Sequence, residues 1–86
     1  MITKEQAMAA KYGQIFYAIN ERNADGTRLR VRVTGKCQTR VRTPEWFMLP
    51  VRHGLKNSGY ITNRNAHEWA VDEAHAVMEA PLAVAR

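Results

Sequence analysis

At 86 residues the chain has material for one hydrophobic core and not for two. Its 45% apolar and 24% charged residues exclude a disordered composition, and its single cysteine, Cys37, excludes an internal disulfide. A net charge of +5 with a pI near 9.9 favours anionic partners, and no uncharged run reaches the length of a membrane span.

The N-terminus carries Lys4, Glu5 and Lys11 where a signal peptide would need an apolar stretch, so the expectation is a soluble cytoplasmic protein with no membrane partner. Thr3 and Gln6 stand at capping-box spacing, and residues 4–12 are good helix formers ending before Gly13. Residues 14–20, QIFYAIN, then read as a strand, with continuation of the helix as the alternative, and Asn23–Gly26 as a turn in which Asp-Gly supplies positive φ.

Residues 27–43, TRLRVRVTGKCQTRVRT, give the clearest strand pattern. Leu29, Val31 and Val33 alternate with Arg28, Arg30 and Arg32; Cys37, Thr39 and Val41 alternate with Gln38, Arg40 and Arg42. A three-residue loop at Thr34–Lys36 predicts a β-hairpin pairing Val33 with Cys37, Val31 with Thr39 and Leu29 with Val41. Its other face sets Arg32 beside Gln38, Arg30 beside Arg40 and Arg28 beside Arg42.

Thr43-Pro44-Glu45 predicts a single helical turn, short strands follow around Val51 and Ile61, and Asn63 or Asn65 is placed to cap a helical segment that Pro81 stops. The chain therefore divides into a helix (1–13), a basic β-rich core (14–62), a helical segment (63–80) and a tail (81–86). The expected fold is α+β, either a small antiparallel sheet or a partly closed SH3-like barrel, with short helices near both ends.

Charge is segregated along this plan. Residues 26–64 hold nine cations against Glu45 alone, whereas residues 65–86 carry Glu68, Asp72, Glu73 and Glu79 against Arg86. Opposed arginines destabilise a sheet unless something neutralises them, and phosphates fit the guanidinium fork. Arg28, Arg30, Arg32, Arg40 and Arg42, with Lys36 at the hairpin tip, are thus the candidate nucleic-acid contacts, and Trp46, Phe47 and Tyr60 the candidate stacking residues. The bland reading of the same arginines is a solvated face, or one paired with the C-terminal acids.

His53, His67 and His75 with Cys37 lack zinc-site spacing, and Cys37 falls on the apolar face, where thiols are inert; neither a metal, a cofactor nor a catalytic residue is expected.

The run GKCQTRVRTPEWFMLPVRHGL followed by SGYITNRNAHEW resembles a group of small, largely uncharacterised proteins encoded by tailed bacteriophages and prophages. The resemblance implies phage origin and host cytoplasm, with no activity attached. The expectation is a non-enzymatic binder of nucleic acid, DNA or RNA. A second class is an adaptor that meets an acidic host or virion protein through the basic face or a sheet edge, with self-association as a related outcome.

Overall fold

The computed structural model describes residues 1–54 and 57–80. It is α+β: helix α1 (Lys4–Ala9), strands β1 (Ile15–Arg22), β2 (Arg28–Val33), β3 (Gln38–Thr39), β4 (Phe47–His53), β5 (Asn57–Thr62), a 3-10 turn (Ala66–Glu68), strand β6 (Trp69–Ala70) and helix α2 (Glu73–Glu79). No described helix is long and apolar enough to cross a membrane. The predicted tail, 81–86, lies outside the described residues.

All six strands join one antiparallel sheet in the order β5-β4-β2-β1-β6, with β3 sharing an edge of β4 with β2. The sheet is open, so of the two expected architectures the small antiparallel sheet is the one found. Alternation assigns its faces. Phe16, Ala18, Val31, Val33, Leu49, Val51, Ile61 and Trp69 form an inner face that buries against Ile2 and Ala7 of the N-terminal segment. A smaller cluster of Ile19, Ala70 and Ala76 seats α2 on the β1–β6 end of the outer face.

Both helices are capped, α1 by the expected box and α2 by Asp72 in place of Asn63 or Asn65. Thr3 accepts from Gln6 N–H at 3.1 Å while Gln6 Oε1 accepts from Thr3 N–H at 2.9 Å, a complete capping box. Asp72 caps α2 by accepting from His75 N–H at 2.8 Å, and this bond with that from the His75 ring lowers its pKa. The expected continuous helical segment from residue 63 is divided, because Trp69 and Ala70 extend to pair with Ala18 and Tyr17. Burying Trp69 on the inner face outweighs its place in a helical pattern.

The predicted hairpin is not present. β2 pairs instead with β1 (Phe16↔Val31, Tyr17↔Arg30) and with β4 (Arg32↔Arg52, Val33↔Val51). β3 lies in line with β2 along that edge of β4, through Gln38↔Met48 and Thr39↔Phe47. From Val33 to Gln38 the chain advances five residues while β4 moves three, from Val51 to Met48, so the segment taken for a turn is a bulge.

Two features explain the bulge. Gly35 has no positive φ, unlike Gly13, Gly26 and Gly54; a Cβ there would stand 3.0 Å from Pro50 Cγ, so the glycine serves close approach and not a turn. Thr34 N–H donates to Pro50 C=O at 3.0 Å, which points the Pro50 nitrogen toward the bulge, where no ladder donor is needed. The Leu49–Val51 strand also offers β2 a more apolar partner than Thr39–Val41, and Val41 is left 98% exposed. Thr43–Trp46 closes as a turn through Trp46 N–H to Thr43 C=O at 2.8 Å, and β4 starts at the next residue in place of a helical turn.

Candidate functional site

The arginines of β2 divide by environment. Arg30 and Arg32 are exposed on the outer face. Arg28, expected beside them, is 8% exposed and points its guanidinium into the protein. The cause lies in β1. Between the pairs Tyr17↔Arg30 and Arg22↔Arg28, residues 18–21 of β1 stand against Leu29 alone, a large bulge that takes carbonyls out of the ladder. Arg28 Nη1 donates to two of them, Ala18 C=O at 2.9 Å and Ile19 C=O at 2.6 Å. Arg28 is therefore corrected from an interface residue to a staple of β1.

Arg52, absent from the expected set, takes its place. The pair Arg32↔Arg52 puts two guanidinium stems side by side on adjacent strands, with Ile15 across from Arg32 on the other side. The like-charge pairing foreseen for Arg30 with Arg40 occurs here instead. Alternation in β4 carries the signal: Phe47, Leu49 and Val51 are buried, so Met48, Pro50 and Arg52 share the opposite face.

Arg40 lies one residue beyond Thr39↔Phe47, and its guanidinium sits over the Trp46 ring at 4.7 Å from the centroid. This contact is a cation–π pair, and it holds Arg40 and Trp46 to each other. Arg42 and Lys36 are exposed in irregular segments, Arg42 in the 40–46 loop and Lys36 in the bulge. Of the proposed stacking residues, Tyr60 is 53% exposed, Trp46 is half-buried beneath Arg40, and Phe47 is 2% exposed. Phe47 belongs to the core and cannot meet a base.

Among the described residues no lysine or arginine forms an ion pair. The recorded pairs join the N-terminal amine to Glu79, His67 to Glu68 and His75 to Asp72. Asp72 thus caps α2 and Glu79 meets the N-terminal amine, and among the described residues no C-terminal acid lies within ion-pair distance of Arg30, Arg32 or Arg52. Lys4 donates instead to the Pro44 carbonyl. Cys37 is half-buried against the core, and burial pushes its thiol pKa up, which disfavours the thiolate.

No family model, curated protein or solved structure matches the chain. Several residues of the 35–69 run have defined places in the fold. Leu49, Val51 and Ile61 are core, Gly35 and Pro50 fit each other, and Gly54 has φ +70° at the end of β4. Asn65, expected as a helix cap, makes no cap bond. Its side chain accepts from Thr62 N–H at 2.7 Å and donates to Tyr60 C=O at 3.0 Å. It thereby satisfies two groups on the outer edge of β5.

Proposed function

We propose that the protein binds nucleic acid on the outer face of its sheet, through Arg30, Arg32 and Arg52, with Arg40 further along the same line of strands. The reading is non-enzymatic and leaves phage origin, suggested by the resemblance, as part of the proposal. The observation that carries it is the Arg32↔Arg52 pair, two adjacent cations with no carboxylate partner among the described residues. A phosphate between them would offset a repulsion that the fold alone leaves uncompensated.

Shape selects the ligand. Five strands at about 4.8 Å spacing span about 19 Å, wider than the roughly 12 Å of a B-form major groove, so this face cannot enter duplex DNA as a two-stranded ribbon can. It can carry an extended single strand, with phosphates along the arginines and a base against the exposed Tyr60. The test is fluorescence anisotropy with a labelled single strand and its duplex at low salt. Tighter binding of the single strand is expected. No binding of either removes the reading, and preference for the duplex removes its geometry.

A further inference from the structure

Where β4 ends, a recess of about 440 Å³ opens among the outer-face arginines, and its lining includes Ile15, Arg30, Arg32, Arg52, His53 and Gly54. Strand register explains the arrangement. Arg30 and Arg32 are two residues apart on β2, about 7 Å, and Arg52 stands across from Arg32 on β4, about 5 Å away. Continued by two residues, the same register sets Gly54 across from Arg30. A Cβ at Gly54 would meet nothing within 4 Å, so the missing side chain leaves the space between the three arginines open. Half-buried Ile15, across from Arg32 on β1, gives the recess an apolar flank.

No Asp or Glu is among the lining residues, so three guanidiniums face the recess with no carboxylate to offset them. Asp25 and Glu73 line a separate recess that shares Arg30, and neither forms an ion pair with it. Even with Arg30 set against those acids, Arg32 and Arg52 stay unopposed. All three arginines are exposed and can turn their planar forks toward a ligand. One phosphodiester brings a single negative charge, and the sugar between consecutive diesters spaces the next charge away. A chain of two or three phosphates brings about −2.5 to −4, since its terminal group carries about −1.5 to −2 and each further group about −1. That charge matches the site, and a cavity of this size holds a small ligand.

We infer that the recess takes a polyphosphate group, two or three phosphates joined in a chain, held by Arg30, Arg32 and Arg52. Its source is the 5′ end of an RNA strand or a free nucleoside di- or triphosphate, which share this chemistry. The inference rests on the binding reading above for its arginine row and names the group that row holds most tightly.

The test sets inorganic tripolyphosphate against orthophosphate at matched ionic strength and without divalent cations, by displacement of a labelled single strand and by direct calorimetric titration. Tripolyphosphate should bind at least about tenfold more tightly than orthophosphate and should shift the backbone amide resonances of Arg32, Arg52 and Gly54. Arg52→Gln should abolish that preference, whereas Arg40→Gln, which lies outside the recess, should weaken the strand and leave tripolyphosphate binding unchanged. Two further arms separate the sources. A 5′-triphosphate RNA that outbinds both its 5′-hydroxyl form and a nucleoside triphosphate assigns the strand end, and a nucleoside triphosphate that binds as tightly assigns the free nucleotide. Equal binding of tripolyphosphate and orthophosphate, with the strand still bound, overturns the recess and leaves the arginine row intact. A preference that survives Arg52→Gln, or that leaves those three amides unmoved, overturns it too, because the group then lies elsewhere. Tripolyphosphate bound where no strand binds removes the single-strand reading and keeps the recess as a nucleotide site. If nothing binds at low salt, both fail.

Discussion

Arg28 and Arg32 stand four residues apart on one strand, and the sequence offers no reason to separate them. One is a buried donor to backbone carbonyls and the other half of an exposed like-charge pair. Substitution should tell them apart. Arg28→Met keeps much of the apolar stem but leaves the Ala18 and Ile19 carbonyls unpaired, so unfolding in urea should show a loss of about 2–4 kcal/mol. Arg52→Gln should leave stability unchanged, or raise it by up to about 1 kcal/mol through relief of repulsion with Arg32, while weakening single-strand binding several-fold. A loss of stability above about 1 kcal/mol for Arg52→Gln would mark that arginine as structural.

At the level of elements, the alternation of β2 specifies which residues face the core but not which strand they pair with. Both a hairpin and a bulged, in-line continuation keep Val31, Val33, Cys37 and Thr39 in consistent alternation, so the pattern is silent between them. The choice rests on Pro50, whose ring fits against Gly35, and on the apolar Leu49 and Val51 arriving from later in the chain. Asn65 shows a second limit of local reading, since its spacing to Glu68 suggests a cap whereas its side chain serves β5. Six residues of unprotected edge strand invite pairing with other chains, and Asn65 occupies two of its outward groups. Asn65→Ala should cost about 1–3 kcal/mol for two lost hydrogen bonds, read by thermal or urea unfolding, and should increase aggregation on warming, read by light scattering. A fully stable, non-aggregating variant would show that the edge is protected otherwise.

For the whole molecule, the sheet width and the segregation of charge act together. The basic middle of the chain supplies the outer face, while in the acidic C-terminal segment Asp72 caps α2 and Glu79 tethers the N-terminus. If Arg30, Arg32, Arg40 and Arg52 neutralise four phosphates of a single strand, log K should fall with log salt at a slope of about −2.8. Anisotropy titrations across salt concentrations measure it. A slope near zero with binding retained would mean that phosphates are not what the face holds.

Local chemistry in the sequence was enough to determine the capped first helix, the Asp-Gly turn, the α+β class and an excess of positive charge confined to the middle of the chain. These follow from side-chain periodicity and near-neighbour hydrogen bonding, which act over a few residues. Only the tertiary structure decided that β4 lies beside β2, that Arg28 turns inward and that Arg52 joins the exposed row. Those outcomes depend on contacts between segments distant in sequence, where burial of Leu49, Val51 and Trp69 and the need to satisfy freed carbonyls outweigh any local preference.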